Sequence, residues 1–295
     1  MANNAIETKV SDTASFTCVS RAISAMDDRK EYHGDDDMAI VFIPARIKLI
    51  LKSRPLRHFF LRLLTAPGIY EYVIARTRCF DGRFRQALAE GFDQVLIFGA
   101  GFDTRAIRFS KLNKGTKIFE LDAPVTQEMK IKILKDKNVL LPDHLIFVPI
   151  NFDTQSLEDR LNEAGFRKGV KTLFLLEGVT MYLTAGAIDG TFGYIGKSAG
   201  TGSLVTFDYI YGSVLRGENR YYGEKGMVKT VSKVDERFTF GIEEGKIGDF
   251  ISRHGLSLLE QCSPADLERK YFTAPGGKFK GKVNGTHCIV TAIKP

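Results

Sequence analysis

The sequence predicts an α/β protein with a mostly parallel β-sheet, and three observations support this. Five short apolar runs between residues 94 and 208 have the length and composition of buried strands. Segments with helical periodicity separate these runs, which is the pattern of repeated βαβ units. The chain has 295 residues, of which 44% are hydrophobic and 26% are charged, so it can form a large core.

The first ninety residues are predicted to be largely helical, with helices over 13–25 and 69–90. The acidic residues between 27 and 37 are interpreted as a solvated loop. Residues 46–62 contain six Lys or Arg and no acid. They are interpreted as a helical cap whose cationic side chains cover apolar neighbours, with a membrane-surface or anionic-substrate helix as the alternative. Pro55 excludes one continuous helix in this segment.

The sheet is predicted to begin at residue 94, with a helix after each of its first four strands. The strands are expected at 94–98, 116–121, 145–150, 171–176 and 203–208, and the helices at 102–109, 125–135, 157–164 and 185–198. Further along, the expected elements are a helix over 247–254, a strand starting at 257–260, a hairpin loop over 275–285 and a closing strand over 286–293.

Residues 210–245 interrupt this pattern. They are rich in Gly, Tyr and charged residues and too long for an ordinary connection, so they are predicted to be a lid or an inserted helical piece. No linker divides the chain into independent parts. A single domain is therefore expected over 1–295. Its parts are a cap (1–90), a central core (91–209), the lid (210–246) and the end of the sheet (247–295).

Composition argues against several classes of protein. Cys18, Cys79, Cys262 and Cys288 form no CxxC pair and no zinc-binding spacing, so reduced thiols and no metal site are expected. The N-terminus lacks the apolar region of a signal peptide and no stretch reaches 18 apolar residues, so a cytoplasmic protein without membrane insertion is expected. The net charge of +7 is too low for a nucleic-acid-binding arm, and nucleic acid is not an expected partner.

A glycine-containing loop carries the strongest functional signal. Gly99-Ala100-Gly101 follows the first strand and precedes a helix, so the backbone can approach a ligand and offer free N–H groups. Asp122 lies 21 residues beyond Gly101, where a carboxylate can accept hydrogen bonds from both hydroxyls of a ribose. The pattern predicts a nucleoside-containing cofactor. The alternative for Asp122 is a helix N-cap.

The cofactor is predicted to be S-adenosylmethionine rather than a dinucleotide. Thr104 stands where the nicotinamide fingerprint has its third glycine, and the chain contains no GxxxxGK[ST] phosphate loop. S-adenosylmethionine has no pyrophosphate and tolerates a shorter glycine loop. An NAD(P)-dependent oxidoreductase and a non-catalytic binding protein are the alternatives.

Three segments resemble, in this order, the motifs of the leucine carboxyl methyltransferase family: VLIFGAGFDTR (95–105), FELDAP (119–124) and LLEGVTMYL (175–183). ARTR (75–78) and ETKVSDTA (7–14) are also similar to segments of that family. The family includes bacterial S-adenosylmethionine-dependent O-methyltransferases of polyketide-type pathways. The resemblance implies a class I methyltransferase (Rossmann-like) fold. This fold has a mostly parallel seven-stranded sheet with helices on both faces, an N-terminal helical cap and an inserted lid.

The resemblance also implies roles for individual residues. Arg76 would pair with the methionine carboxylate of the cofactor, for which a guanidinium is well suited, and the alternative is a solvated helix face. Glu177 would face the amino group or the sulfonium. The segment from Asp103 to Arg105 is expected to brace the glycine loop. The implied cofactor site consists of Arg76, Gly99, Ala100, Gly101, Asp122, Ala123, Glu177 and an adenine contact from Asn151, Phe152 or Asp153.

The catalytic candidates are Glu177, Tyr182 and Asp208, with core packing as the alternative for Tyr182. A carboxylate acceptor is ionised at neutral pH and needs no base, whereas a phenol usually needs one. None of the five histidines follows the carboxyl end of a predicted core strand, which favours carboxyl methylation. Asp208 is the leading candidate for a base if the acceptor is a hydroxyl.

The expected acceptor is a small molecule or a peptide C-terminus with a carboxylate or a hydroxyl, and the second product is S-adenosylhomocysteine. The acceptor pocket is predicted between the N-terminal cap and the lid. Two arginines there could pair with an acidic acceptor, and a solvated lid is the equal alternative. The candidate acceptor residues are Tyr209, Tyr211, Arg216, Arg220, Tyr221 and Tyr222.

Overall fold

A seven-stranded sheet forms the centre of the protein. The computed structural model describes residues 11–151, 154–231 and 237–295, without the side chains at positions 58, 60 and 62–64. The strands are β1 (Gln94–Phe98), β2 (Lys117–Asp122), β3 (Leu145–Pro149), β4 (Thr172–Leu176), β5 (Leu204–Ile210), β6 (Ser257–Cys262) and β7 (His287–Ile293). Their order is β3-β2-β1-β4-β5-β7-β6. Strands β1 to β5 are parallel, and β7 is antiparallel to both of its neighbours.

Helices precede the sheet and cover both of its faces. Ser11, Thr184 and Ser263 each accept a backbone N–H from the first turn of a helix, which fixes the start of the helices that begin at residues 12, 185 and 264. The helices are α1 (Asp12–Ala25), α2 (Ala45–Lys52), α3 (Arg54–Leu64), α4 (Ile69–Ala89), α5 (Arg105–Arg108), α6 (Pro124–Asp136), α7 (Leu157–Glu163), α8 (Ala185–Ser198), α9 (Gly212–Leu215), α10 (Glu224–Val231), α11 (Ile247–Ser252) and α12 (Pro264–Tyr271). Short 3-10 helices lie at Asp37–Phe42, Ser110–Leu112 and Thr180–Tyr182.

Two hydrophobic clusters, one on each face, hold the helices against the sheet. Neighbouring strand residues point to opposite faces, so Val95 and Ile97 pack into one cluster while Leu96 and Phe98 pack into the other. Helices α1, α4 and α12 contribute to the first cluster, and α8 and α11 to the second. Because β1 and β4 are buried along their whole length, their sequences are continuous apolar runs rather than alternating ones.

The predicted fold class is confirmed, but one helix was missed. The sequence predicted a hairpin loop over 275–285, which contains no helix, but it predicted no element for the residues before this loop, where α12 lies. Ser263 and Asp266 form a complete capping box at its start. Leu267 is the buried residue of this eight-residue helix, so its apolar periodicity is too weak to indicate a helix.

The acidic stretch is not the solvated loop that the sequence predicted. Asp28, Asp35 and Asp37 are exposed, but Asp27 and Asp36 are buried. Arg21 donates to Asp36 at 2.9 Å, and Nε of Arg29 donates to Asp27, also at 2.9 Å. The counter-charges come from the helix before the stretch and from within it, which charge counting along the chain does not reveal.

The basic segment folds as the helix pair α2 and α3, with the break near Pro55 that the sequence predicted. Leu51 is fully buried, whereas Leu49 and Phe59 are 70% and 64% exposed. The interpretation of this segment as a cap stays a prediction. Over the described ranges, no helix has the length and apolar character needed to span a bilayer.

The described residues of the 210–245 segment pack beside the end of β5. Helices α9 and α10 form here, and Tyr211 pairs with Ile242 in an isolated parallel bridge. Met227 and Ile242 join the second hydrophobic cluster. The described part of the segment is therefore an inserted helical piece packed on the sheet. The division of the chain into cap, core and lid stays a prediction.

Gly196 of α8 should tolerate no side chain. A Cβ at this position would lie 2.1 Å from the backbone oxygen of His254, so the two packed segments would have to separate. We expect Gly196→Ala to lower the free energy of unfolding by about 1–3 kcal/mol, measured by chemical denaturation. Gly193→Ala in the same helix is the control, because a Cβ there meets nothing within 4 Å. Equal destabilisation of both variants would contradict this packing.

Candidate active site

A cavity opens at the carboxyl ends of β1, β2 and β4, where ligands bind in open α/β sheets. It encloses about 1120 Å³, including the solvent at its mouth. Residues 97–103, Asp122 and Ala123, and residues 177–179 line it from the strand ends. Further lining comes from α1, from Arg76 of α4, and from Tyr182, Leu183 and Thr191.

The glycine loop needs glycine at both predicted positions. Gly99 and Gly101 have φ angles of 56° and 50°, in the left-handed region. A Cβ on Gly99 would lie 2.8 Å from Cγ2 of Val179, and one on Gly101 would lie 3.0 Å from Cβ of Ala14. Bare backbone therefore forms the floor of the cavity between these two walls, and side chains at either position would fill it.

Asp122 ties this loop to β2. Its Oδ2 accepts a short hydrogen bond from the backbone N–H of Gly101, and its Oδ1 accepts one from Ala123 at 2.7 Å. Each carboxylate oxygen has a second lone pair, so Asp122 can also accept hydrogen bonds from a ligand in the cavity that it lines. The alternative role as N-cap of α6 is wrong, because Ala123 occupies that position.

Arg76 reaches the cavity from α4 and pairs with two carboxylates. Its Nε donates to Glu177 at 3.1 Å, and its Nη1 donates to Asp208 at 3.0 Å. The side chain is buried, so the alternative of a solvated helix face is wrong. Burial alone would lower the pKa of Arg76, but Asp208 and Glu177 reverse this and raise it. A guanidinium has five N–H donors, so Arg76 can still donate to an anion.

Arg105 braces the loops around the cavity, as the sequence predicted. Its guanidinium is 1% exposed and pairs with Asp103, Asp81 and Glu177. The Nε–Asp81 distance is 2.7 Å and the Nη2–Glu177 distance is 2.6 Å. Burial alone would lower the pKa of Arg105, and the three carboxylates raise it well above its usual range. The side chain thus connects α4, the glycine loop and the loop after β4.

Asp208 lies behind the cavity wall at the end of β5. Its Oδ2 accepts a hydrogen bond from the Tyr72 hydroxyl at 2.7 Å as well as the one from Arg76. Its Oδ1 accepts from the backbone N–H of Gly178 at 2.7 Å. The side chain is fully buried and does not line the cavity. Its role as a base stays a prediction, and these contacts favour a role in positioning Arg76.

Tyr72 and His287 extend this cluster, and the sequence predicted neither. Their rings stack with centroids 4.3 Å apart. His287 begins β7, which runs antiparallel and pairs it with Ile210 at the carboxyl end of β5. The criterion of following a strand's carboxyl end missed the position of His287, because an antiparallel strand brings its first residue to this edge. Burial and the charge of Arg76 lower the pKa of His287 to about 3.

Helix α1 closes the cavity opposite the glycine loop. Ser11, Ala14 and Thr17 line this wall. Arg21 fastens the helix to the loop, because its Nη2 donates to the backbone oxygen of Phe102 at 2.7 Å. The sequence predicted no contact from this helix, although the similarity of residues 7–14 to the family's N-terminal segment is a signal that could have indicated this wall.

The remaining cofactor and catalytic candidates divide into two groups. Tyr182 lines the cavity, with its ring centroid 5.4 Å from that of Phe238. Asn151 is half-buried, lies outside the cavity lining and accepts a hydrogen bond from the backbone N–H of Thr154 at 3.0 Å. Phe152 and Asp153 lie outside the described residues. The adenine contact therefore stays a prediction.

Two of the predicted acceptor residues belong to the core rather than to the cavity lining. Tyr209 and Tyr211 are buried in the second hydrophobic cluster. The hydroxyl of Tyr209 accepts from Gln261 at 3.1 Å, and that of Tyr211 accepts from the Cys288 thiol at 2.9 Å. These bonds hold the end of β5 against β6 and β7.

The other four acceptor candidates also lie outside the cavity lining. Arg216 is exposed and pairs with Glu218 and Glu243, and Arg220 pairs with Glu218. Tyr221 stacks on Tyr211 with centroids 4.7 Å apart, and Tyr222 is 41% exposed. Their roles in acceptor binding stay predictions.

Comparison with known proteins assigns the family. A model described as leucine carboxyl methyltransferase matches residues 14–196, which include the glycine loop, Asp122 and Glu177. The chain belongs to this family. YktD of Bacillus subtilis, assigned as an S-adenosyl-L-methionine-dependent methyltransferase, is 31% identical over 204 residues, which are 68% of this chain and 66% of that protein. A Frankia alni protein with the same assignment is 31% identical over 194 residues, 66% of each chain.

A solved structure supports the fold of this leucine carboxyl methyltransferase family member. It is a crystal structure of a protein from Thermobifida fusca, assigned as a methyltransferase. The two structures share a TM-score of 0.60 at 13% identity, over 96% of this chain and 97% of that one. Together, these matches confirm the predicted family, fold class and cofactor. The chain contains an S-adenosylmethionine-dependent methyltransferase domain.

The cavity fits the cofactor of the leucine carboxyl methyltransferase family. The carboxylate of Asp122 suits a ribose, and the cationic Arg76 suits the carboxylate of an amino acid. The glycine backbone leaves room that side chains would fill. When bound, S-adenosylmethionine supplies a methyl group on a positively charged sulfur. The role of the protein's residues would be to bind and orient the cofactor and the acceptor, because in-line methyl transfer depends on how the two reacting atoms approach each other.

Asp122→Ala should weaken binding of S-adenosylhomocysteine by about 10- to 100-fold, because hydrogen bonds to a charged group are worth about 1.5–3 kcal/mol. Isothermal titration calorimetry measures this directly. Asp143→Ala is the control, because Asp143 is exposed and precedes β3 at the opposite edge of the sheet. Unchanged affinity in a folded Asp122→Ala variant would remove Asp122 from the site.

His287 should make folding sensitive to acid. Its pKa is about 3 in the folded protein and near 6.5 in the unfolded chain, so the unfolded chain binds the extra proton below pH 6.5. Stability should fall as the pH drops from 6.5 to 4.5, and His287→Gln should remove about 2–3 kcal/mol of that fall. Urea denaturation across this range measures it, with the exposed His33→Gln as the control. Parallel curves for wild type and His287→Gln would contradict a neutral buried His287.

Proposed function

We propose that the protein is an S-adenosylmethionine-dependent O-methyltransferase that esterifies a carboxylate of a small molecule or of a peptide C-terminus. The observation that carries the proposal is that the carboxylates lining the cavity already have strong donors. Among the described residues these are Asp103, Asp122 and Glu177. Asp103 and Glu177 pair with arginines, and Asp122 accepts from backbone N–H groups.

Under this proposal, the charged groups around the cavity hold the cofactor at both ends. Arg76 donates to its carboxylate, Glu177 accepts from its ammonium group and Asp122 accepts from its ribose hydroxyls. The support is their placement: all three line one cavity, and Glu177 is fixed between Arg76 and Arg105 at 3.1 and 2.6 Å. The bare backbone of Gly99 and Gly101 supports close contact with the connecting chain.

The acceptor class follows from how tightly these groups are held. A hydroxyl acceptor would need a side chain that takes up its proton during transfer. Burial alone would raise the pKa of Asp103, but Arg105, Lys130 and Arg21 lower it, so Asp103 is a poor base. His287 is neutral, but its low pKa of about 3 and its position outside the lining make it a poor base too. A carboxylate acceptor arrives ionised and needs no base.

Two further observations support this acceptor class. The cavity wall beyond Glu177 is formed by Val179, Tyr182 and Leu183, which suits the uncharged body of an acceptor. The family description itself names a carboxyl group, that of leucine, as the methylated group. A panel of amino acids, short peptides and aromatic acids would identify the acid that carries this carboxylate.

The test uses cofactor with a tritiated methyl group and two acceptor panels, one of carboxylic acids and one of phenols and alcohols. Methyl esters release volatile labelled methanol in mild alkali, whereas methyl ethers keep the label. We expect labelled product from the acid panel, and we expect alkali to release the label. Asp122→Ala, which should bind the cofactor weakly, gives the background.

Alkali-stable label, or product from the phenol panel alone, would overturn carboxyl methylation and leave a hydroxyl acceptor. Tight binding of S-adenosylhomocysteine with no labelled product from either panel, or from a small-molecule extract, would support a binding protein without turnover. Carboxyl methylation would be wrong in both cases.

A further inference from the structure

Two thiols meet at a second cavity, next to the face of the sheet that α4 and α12 cover. Cys79 of α4 and Cys262 at the end of β6 both line it. The cavity encloses about 1070 Å³, including solvent at its mouth, so small molecules can reach it. The two side chains open onto the same space, and each influences the ionisation of the other. The fold thus brings two residues that are 183 positions apart in the chain to one cavity.

The surroundings give the two thiols different properties. The Sγ of Cys79 lies 3.2 Å from the hydroxyl of Tyr271, and the Sγ of Cys262 donates to Glu260 at 3.4 Å. The hydrogen bonds from Cys262 and Tyr271 and the charge of Lys270 lower the pKa of Cys79, against the opposing effect of burial. The hydrogen bond to Cys79 and burial raise the pKa of Cys262. Cys79 is therefore the thiol that ionises first, and the thiolate is the nucleophile.

Cationic side chains surround the pair. Arg78, Arg83, Arg85 and Lys270 line the same cavity, and among its described lining residues Glu260 supplies the carboxylate. Arg83 and Lys270 both lie against Glu260. This excess of positive charge favours a negatively charged reagent over a neutral or positive one.

The other two cysteines differ from this pair. Cys18 and Cys288 are buried like Cys262, but neither lines this cavity. Cys18 donates to the backbone oxygen of Ala39 at 3.4 Å, and Cys288 donates to the Tyr211 hydroxyl at 2.9 Å. Burial raises the pKa of Cys18 to about 11. Both serve as internal references for an unreactive thiol.

We propose that Cys79 and Cys262 are a redox-active thiol pair that exchanges with small anionic disulfides. The Cys79 thiolate attacks one sulfur of the disulfide RSSR, a bond between Cys79 and RS forms, and RS⁻ leaves. Cys262 gives its proton to solvent by way of Glu260 and attacks the Sγ of Cys79. The Cys79–Cys262 bond forms and the second RS⁻ leaves. Two thiols are oxidised by two electrons, and RSSR is reduced to two RSH.

The position of Cys79 gives this pair a link to the first cavity. Cys79 lies one helical turn after Arg76, so a bond to Cys262 would tie the helix that carries Arg76 to β6. The thiol pair does not depend on methyl transfer, so it stands or falls separately from the proposed function.

The experiment treats the reduced, folded protein with 5,5′-dithiobis(2-nitrobenzoate), an anionic disulfide that releases a coloured thiolate. We expect a fast phase that releases two equivalents of thiolate while no reagent group stays attached. Mass spectrometry of non-reduced peptides should then show Cys79 joined to Cys262. With Cys262→Ser, the fast phase should release one equivalent and leave the reagent group on Cys79.

Cys79→Ser should abolish the fast phase, and Cys288→Ser should leave it unchanged. Thermal unfolding shows that each variant is folded. A fast phase that survives Cys79→Ser would overturn the proposal, and so would a wild-type protein that keeps the reagent group on Cys79 without a bond to Cys262.

The cationic rim is tested with Lys270→Gln, a substitution at an exposed position. The ratio of the rates with the anionic reagent and with the cationic disulfide cystamine is compared with the same ratio for 2-mercaptoethanol, a neutral thiol, because the two reagents also differ in leaving group. The ratio for wild type should exceed that of 2-mercaptoethanol by about tenfold or more, and this excess should fall with added salt and in Lys270→Gln. A ratio equal to that of 2-mercaptoethanol would show that the rim does not select anions and would remove that part of the proposal.

Discussion

The buried ion pairs between two arginines and the carboxylates around them are the interaction on which the site depends. Arg76 joins α4 to Glu177 after β4 and to Asp208 in β5. Arg105 joins Glu177 to Asp81 of α4 and to Asp103. Such groups are costly to bury unless nearly every donor and acceptor is used, and removing one member leaves an uncompensated charge at a cost of about 3–5 kcal/mol. The network therefore specifies one arrangement of the helix and strand ends.

Hydrogen bonds between charged side chains and backbone groups fix the position of the glycine loop. Asp122 holds the N–H of Gly101, and Arg21 of α1 holds the backbone oxygen of Phe102. The loop is thus anchored on both sides, by the neighbouring strand and by the N-terminal helix. Its left-handed residues cannot carry side chains without meeting Val179 or Ala14. A ligand there meets a preformed surface rather than a mobile segment.

Much of this architecture could be predicted from the sequence, because parallel strands buried on both faces produce continuous apolar runs. The position of Gly99 and Asp122 at strand ends followed directly, and so did Glu177. The prediction that the acidic stretch is a solvated loop was wrong because Asp36 is paired with Arg21, which lies fifteen residues away in the chain. The position of His287 was missed because candidates were expected only after the carboxyl ends of strands. An antiparallel strand brings its first residue to that edge of the sheet.

The acceptor candidates in and next to the lid show a second reason why the sequence predicts only part of the site. Tyrosine and arginine are typical of binding surfaces, but here Tyr209 and Tyr211 are buried in the core and Arg216 is neutralised by acids nearby in space. Composition indicated residue types suited to recognition without indicating where the side chains lie. Only the packing of β5 against β7 decides that Tyr211 meets Cys288 rather than a ligand.

The walls of the first cavity come from residues as far apart as Ser11 and Thr191. Strand β1 lies at the centre of the cavity floor and pairs with β4, which follows more than seventy residues later in the chain. The cavity therefore exists only once the long-range sheet has formed, and a partly folded chain has no site to offer. Cofactor binding then stabilises the native state alone, by about 2.7 kcal/mol at a concentration one hundred times the Kd. In a cell, the supply of cofactor would thus help to set how much of the protein persists in the folded state.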